Sequence, residues 1–301
     1  MASRADHRST TTVFAVAALG IALFSLMDAL MKGLSLALGT YNALLWRTLA
    51  GAALGGIVFL VRRSPWPSRP AMRFHLIRGS MSSLMAILFF WGLARVPMAQ
   101  AIALAFVAPL VSLYLAAILL GEKIERTAIL ASLLGFAGVV VILAGQARAE
   151  LGQEAFLGSI AILGSAALYA WNIILMRQQA LLAEPVEIAF FTSGIMVSWF
   201  ILAAPFLAVP PPLSELPEIL GAAILAFGSL LLLSWAYARG QAQHLAPTEY
   251  TGFVWASLFG FLFFAEPVRP LTLVGAAMIV AACLYAARPR TAPLPGVEPG
   301  A

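Results

Sequence analysis

Charge is scarce in this chain. Of its 301 residues only 10% are Asp, Glu, Lys or Arg, whereas a soluble globular protein carries about 25%. There is one cysteine, Cys283, which excludes an internal disulfide and any cysteine-rich metal site. The three histidines, His7, His75 and His244, lie far apart with no zinc spacing, so no metal or cofactor is expected. No GxxxxGK[ST] run is present, which argues against an ATP-driven pump, and no Ser-His-Asp constellation suggests an enzyme. What is present in excess is apolar: 62% of residues are hydrophobic and the mean hydropathy is +0.95.

Such a chain has too little polar surface to face water all round. In lipid, every backbone N–H and C=O must be satisfied internally, which leaves helices or a closed barrel. The apolar runs are long and continuous, as in Ile102 to Leu120, rather than short and alternating, so the expected class is an all-α integral membrane protein. The polar start MASRADHRSTTT leads into an apolar run from Val13 with no cleavage signature, which reads as a first membrane helix.

About 20 residues span the hydrocarbon. That ruler gives ten spans: 13–34, 41–61, 76–94, 98–120 and 127–146, then 156–176, 186–209, 217–238, 245–265 and 271–287. The connections agree. RRSPWPSRPAMR and AVPPPLSELP are proline-broken, QARAELGQEA is polar, and residues 288–301 form a proline-rich tail. Ten spans place both termini on one side. Arg4, Arg8, Arg62, Arg63, Arg69, Arg73, Arg78, Lys123, Arg126, Arg177, Arg239, Arg288 and Arg290 share it, against Lys32, Arg95, Arg148 and Arg269 opposite, with Arg47 inside a span. Thirteen against four is a positive-inside bias, so both termini are expected to be cytoplasmic, in a bacterial inner membrane. The net charge of +5 is accounted for by these connections and implies no nucleic-acid partner.

The chain repeats itself at a step of 144. FFWGLARVPMAQA (from Phe89) lies over LSWAYARGQAQHL (from Leu233), matching Trp91, Ala94 and Arg95 with Trp235, Ala238 and Arg239. LGIALFSLMDALMK (from Leu19) lies over LGSAALYAWNIILM (from Leu163), and GEKIERTAILAS (from Gly121) over AEPVRPLTLVGA (from Ala265), setting Asp28 on Asn172 and Glu122 on Glu266. Each unit, 13–146 and 156–287, holds five spans. Five is odd, so the second unit enters from the opposite side. An inverted repeat of this kind provides two nearly equivalent packings with a solute site between the halves.

The pattern around Gly121–Glu122, the tract APTEYTGFVWASLFGFLFFAEP from Ala246, and FSLMDALMK in the first span resemble the drug/metabolite transporter superfamily, specifically its ten-span permeases with two EamA-type domains. Ala265, standing where the first half has Gly121, is a departure that degrades the second Gly–Glu signature. Within the superfamily the chain is most similar to bacterial amino-acid and metabolite exporters. The resemblance implies a carrier for small solutes.

Ionisable groups inside spans cost on the order of 2.5–3.5 kcal/mol to insert and so need partners. Ser25, Asp28 and Lys32 share a helical face, and Asp28 precedes Lys32 by four residues, the order that favours an ion pair. With Arg47 from the next span they form either a cluster pinning two helices or an outer gate. In the second half Ser165, Tyr169, Asn172 and Met176 form a polar stripe, which serves either helix–helix hydrogen bonding or the transport path. Glu249 is either an interfacial carboxylate or a site for a substrate amine or a proton. Tyr250, Trp255, Trp171 and Phe89 offer rings for an apolar solute or anchors at the interface, the latter preferred for Trp91 and Trp235. Glu122 and Glu266 read as markers of the membrane boundary, and Gly135 and Gly138 as sites of close helix packing.

The expected function is a secondary carrier or facilitator exporting neutral, fairly apolar amino acids or related metabolites, since few buried charges suit a zwitterion better than a phosphorylated solute. Export of lipophilic or cationic drugs is the near alternative, and a non-transporting assembly or lipid-handling protein the distant one. Monomer and homodimer both remain open.

Overall fold

The computed structural model describes residues 2–120, 126–148, 152–180, 182–237, 239 and 248–286. Glu122, Lys123 and the tail 288–301 lie outside them. The described residues form helices α1 (Ala2–Leu38), α2 (Thr40–Val61), α3 (Arg69–Leu93), α4 (Met98–Ala105), α5 (Ala108–Leu120), α6 (Arg126–Arg148), α7 (Gly152–Ala180), α8 (Pro185–Leu207), α9 (Leu216–Tyr237), α10 (Thr251–Phe264) and α11 (Pro270–Ala286), with a 3-10 turn at Leu213–Glu215. Among them six helical stretches are long and apolar enough to cross a membrane, and four apolar helices are shorter. The chain is an all-helical membrane protein.

Local chemistry sets the ends. α1 and α2 meet at Gly39, whose φ of 78° is a conformation that glycine adopts without strain, so the chain reverses in a single residue. Ser68 accepts a hydrogen bond from Ala71 N (3.3 Å) and Pro70 sits in the first turn, a start signal for α3.

The stretch 98–120, expected as one uninterrupted span, is broken at Phe106 and Val107. Pro109 is the physical reason. It has no N–H for the carbonyl four residues back and its ring disfavours helix there, so the backbone ladder resumes only at Leu110 N to Val107 O. The carbonyl of Phe106 accepts instead from the Cys283 thiol on α11 (3.3 Å). The ninth span shows a turn at Tyr250 before α10, at the position 144 residues on.

Large apolar side chains on most helices, among them Met27, Leu44, Leu93, Leu104, Ile142, Ile162 and Ile279, share one fully buried core. Leu60, Val61, Ile118 and Phe206 lie more than 70% exposed, as lipid-facing residues do. The packing pairs are specific. α1 lies along α9 and α10, and α7 along α3 and α5; α2 meets α8 and α9; α3 meets α8; α6 meets α11. A step of 144 residues carries α1 to α7, α3 to α9 and α5 to α10, so each of these named pairs has a counterpart or maps onto itself, whereas the packing of α1 on α2 has no such match.

Glycine sets the closest crossings. A Cβ on Gly138 of α6 would stand 2.7 Å from Gly275 O of α11, and one on Gly92 of α3 would stand 2.5 Å from Gly158 O of α7. Helix backbones touch there, which is how small residues favour association in lipid.

Candidate functional site

Two polar clusters and an aromatic contact occupy the packed helices. The first cluster lies between α3, α7 and α8. Asn172, expected on a polar stripe, accepts a hydrogen bond through Oδ1 from Arg78 Nε (3.0 Å). Arg78 Nη1 also donates to Gln179 Oε1 (2.5 Å). Gln179 Nε2 in turn meets His75 Nδ1 (2.7 Å), and His75 Nε2 meets Glu187 Oε1 (2.8 Å). His75 is wholly buried and stacks on Phe191 at 5.1 Å.

Sequence reading had counted Arg78 among the cytoplasmic-side cations. The structure sets it ten positions inside α3, half-buried, and missed with it were His75, Gln179 and Glu187. The available signal was spacing: His75, Arg78 and Ser82 recur on one helical face beside an apolar run.

The rest of the stripe divides. Ser165 Oγ donates to Met85 O on α3 (2.9 Å), a helix–helix bond. Tyr169 stays 39% exposed, and the charges of both Arg78 and Glu249 act on it. Asn172 and Tyr169 are thus brought toward one guanidinium. Trp171, 44% exposed, is not.

The second cluster corrects an expectation. Asp28 and Lys32 do not pair. Lys32 Nζ donates to Val96 O (2.6 Å) and forms an ion pair with Glu266, whose Oε2 accepts from Met98 N (2.8 Å). The turns after α3 and after α10 bring two acceptors to the end of Lys32, and two short charge-assisted contacts outweigh one along its own helix. Glu266 therefore clasps the turns after α3 and α10 to α1. Asp28 is left buried, its Oδ1 accepting no hydrogen bond. Arg47 lies in electrostatic range of Asp28, and its Nη2 points to Met27 Sδ (3.8 Å). Ser25 is buried against Gly252 of α10.

Between the clusters the Phe106 and Tyr250 rings meet edge-on, 5.3 Å apart. These residues are 144 positions apart, each at a helix break. Trp255 stacks on Phe259 (6.1 Å) and Phe89 lies edge-on to Phe90 (5.2 Å). At the helix ends the repeated Trp-x-x-x-Arg pattern gives the same arrangement twice. Arg95 covers the Trp91 ring at 3.6 Å and Arg239 covers Trp235 at 4.4 Å, each donating to the tryptophan's carbonyl. Those contacts cap two helices.

A bundle of apolar helices with a guanidinium and carboxylates inside suits passage of a polar solute. The sequence profile of the EamA-like transporter family matches residues 11–144 and again 156–288. The chain belongs to that family. It is therefore a multi-pass membrane transporter of the drug/metabolite transporter superfamily, as the resemblance implied.

Named relatives span several solutes. The chain is 28% identical over 270 residues to the pseudopaline exporter of Pseudomonas aeruginosa, covering 88% of this chain and 92% of that one. It is 29% identical over 280 residues to a riboflavin transporter of Rhizobium johnstonii (89% and 88% covered). It is 26% identical over 233 residues to an S-adenosylmethionine uptake transporter of Rickettsia bellii (76% of each). A solved structure aligns with a TM-score of 0.61 at 21% identity, over 92% of this chain and 97% of that one, a likeness of fold alone.

Proposed function

We propose that this EamA-family transporter is a secondary carrier for amino-acid-like zwitterions with uncharged side chains, acting by alternating access between inverted halves 13–146 and 156–287 in a bacterial cytoplasmic membrane, with both termini cytoplasmic. The observation that carries the solute class is the state of Arg78. It sits inside a span, and its guanidinium is held by two neutral amide oxygens, with no carboxylate ion-paired to it among the described residues. An intramembrane charge of this kind marks a solute pathway by default. Arginine has five donors in a planar fork. Asn172 and Gln179 fix its pose and leave the remaining N–H groups for a carboxylate. Glu249, whose charge acts on Tyr169 together with that of Arg78, supplies the opposite sign for an ammonium group.

The alternating mechanism is supported by the recurrence of helix pairs at the 144-residue step. Alternating access is reversible, and export follows wherever a cell holds the solute at higher concentration inside.

Counterflow of labelled leucine or phenylalanine in proteoliposomes tests the reading. A charge-assisted hydrogen bond contributes about 1.5–3 kcal/mol, so Arg78→Ala is expected to lower exchange roughly 10- to 150-fold. Arg78→Lys should restore only part of it, because a point charge replaces a fork. Equal flux in Arg78→Ala and the parent protein would exclude Arg78 as the carboxylate site.

A further inference from the structure

The contacts from Arg78 to Glu187 have a fixed polarity. Arginine carries donors only, so Gln179 must present its oxygen to Arg78 and its NH2 group to His75. The NH2 group only donates, so His75 Nδ1 must accept and carries no proton. The imidazole proton is therefore on Nε2 and is donated to the Glu187 carboxylate. Each link dictates the next, from the guanidinium to a buried histidine–carboxylate pair.

We infer that His75 and Glu187 form a proton-binding site whose occupancy competes with solute at Arg78 through Gln179, making the carrier a proton–solute exchanger. The inference rests on the assignment of Arg78 to the solute's carboxylate. A proton taken up on His75 Nδ1 turns that nitrogen into a donor. Gln179 must then rotate its oxygen toward His75, which turns its NH2 group onto Arg78. Donor now faces donor, and the guanidinium leaves the pose that Gln179 and Asn172 hold. One proton binds at Nδ1 and the same proton leaves from it; no other bond changes.

Charge alone pulls the other way, since a proton on His75 attracts a carboxylate. A zwitterion carries both signs, however, so that attraction is largely offset at its ammonium group, and the lost geometry decides. Competition means that acid on the side facing the site empties it, and an inward proton gradient drives solute outward.

The surroundings of His75 leave Glu187 as its charged partner. α8 contributes no other ionisable side chain, and α4 contributes none. α7 contributes Gln179 and, further along, Tyr169, with Glu154 engaged by Arg95 at the far end; it also bears Arg177, whose side chain lies outside those described. α2 bears Tyr41 and Arg47 in its opposite half and meets the cluster with Phe59. α1 bears Asp28 and Lys32, with Arg4, Asp6, His7 and Arg8 in its first turns. On α3 itself stand Arg78 and the exposed Arg69 and Arg73.

The test separates exchange from drive. Wild-type vesicles one pH unit more acidic inside, with the membrane potential clamped at zero, should accumulate leucine about tenfold, the equilibrium for one-for-one exchange of a neutral solute. His75→Asn keeps an acceptor near Nδ1 but does not titrate, so its accumulation should fall much further than its counterflow; Glu187→Gln should weaken accumulation in the same way. Accumulation undiminished in both variants, or absent from wild-type vesicles that show counterflow, would overturn the proton site. Failure of all zwitterion counterflow in wild type would overturn the solute assignment instead. Histidine NMR of the purified protein then decides the proton site separately, with His75 assigned by its loss in His75→Asn. His75 must gain and lose a proton over the pH range in which the gradient drives accumulation, and Glu187→Gln must alter that response; a single protonation state throughout would overturn it.

Discussion

Removing the lysine of the clasp at Lys32 is the sharpest perturbation of this fold. Lys32→Met keeps the length of the side chain and introduces the residue that stands 144 positions on, Met176. Three contacts vanish together: the pair with Glu266, the bond to Val96 O, and the cation lying 5.2 Å from the Phe264 ring. Breaking a buried pair by deleting one partner costs about 3–5 kcal/mol, largely because the other charge is stranded. The Glu266 side chain is 19% exposed and keeps its bond from Met98 N, so solvent and backbone relieve part of that cost. The expectation is a loss of roughly 2–3 kcal/mol, at or just below the low end of that range.

Chemical unfolding in detergent, run as a double-mutant cycle with Glu266→Gln, measures it. The double variant should be more stable than the sum of the two singles predicts, with a coupling of about 1–2 kcal/mol. A second readout follows from burial. Val96 is 2% exposed beneath Lys32, so a Val96→Cys probe in a Cys283→Ser background should react faster with a membrane-impermeant thiol reagent when Lys32 is Met. A coupling indistinguishable from zero together with unchanged labelling would refute the clasp.

Other expectations concern helix contacts and the solute site. Gly138→Leu forces side-chain atoms into the backbone carbonyl of Gly275, which no rotamer relieves. Thermal unfolding should show a loss of about 1–3 kcal/mol or more, whereas Gly33→Ala, with no atom within 4 Å of the added carbon, should be near neutral. Cys283→Ala removes the donor to the freed carbonyl of Phe106, and should cost about 1 kcal/mol in the same assay; Cys283→Ser should recover most of it. Asn172→Ala releases one of the two oxygens that hold Arg78, and should raise the KM for leucine exchange while changing the unfolding midpoint less than Gly138→Leu does.

How much of this was legible in the sequence depends on the range of the interaction. Helix positions follow from solvent chemistry: lipid leaves the backbone no partners, so the apolar runs become helices near the expected limits, and Pro97 separates α3 from α4 as it should. Asn172 was legible as a polar residue needing a partner. Its partner was not, because Arg78 reads as one more cation at the cytoplasmic end of the third span, and 94 positions separate the two. Lys32 misled for the opposite reason. Asp28 is its neighbour along the helix, while Glu266 is 234 positions away and reaches it only once the turns after α3 and α10 come together. Local spacing cannot weigh a contact that the fold has yet to make. The break at Phe106 had a visible cause in Pro109, yet a proline early in a hydrophobic run is equally compatible with a mild kink.

The edge-on rings of Phe106 and Tyr250 have a geometric consequence. Exchanging the roles of the two halves sends residue 106 to the place of 250 and 250 to the place of 106. This pair is returned to itself. Under the proposed alternating access it would act as a fulcrum, the helices on either side swinging while the point where they bear on each other stays put. A substitution there should alter how quickly the two states interchange more than which of them is preferred.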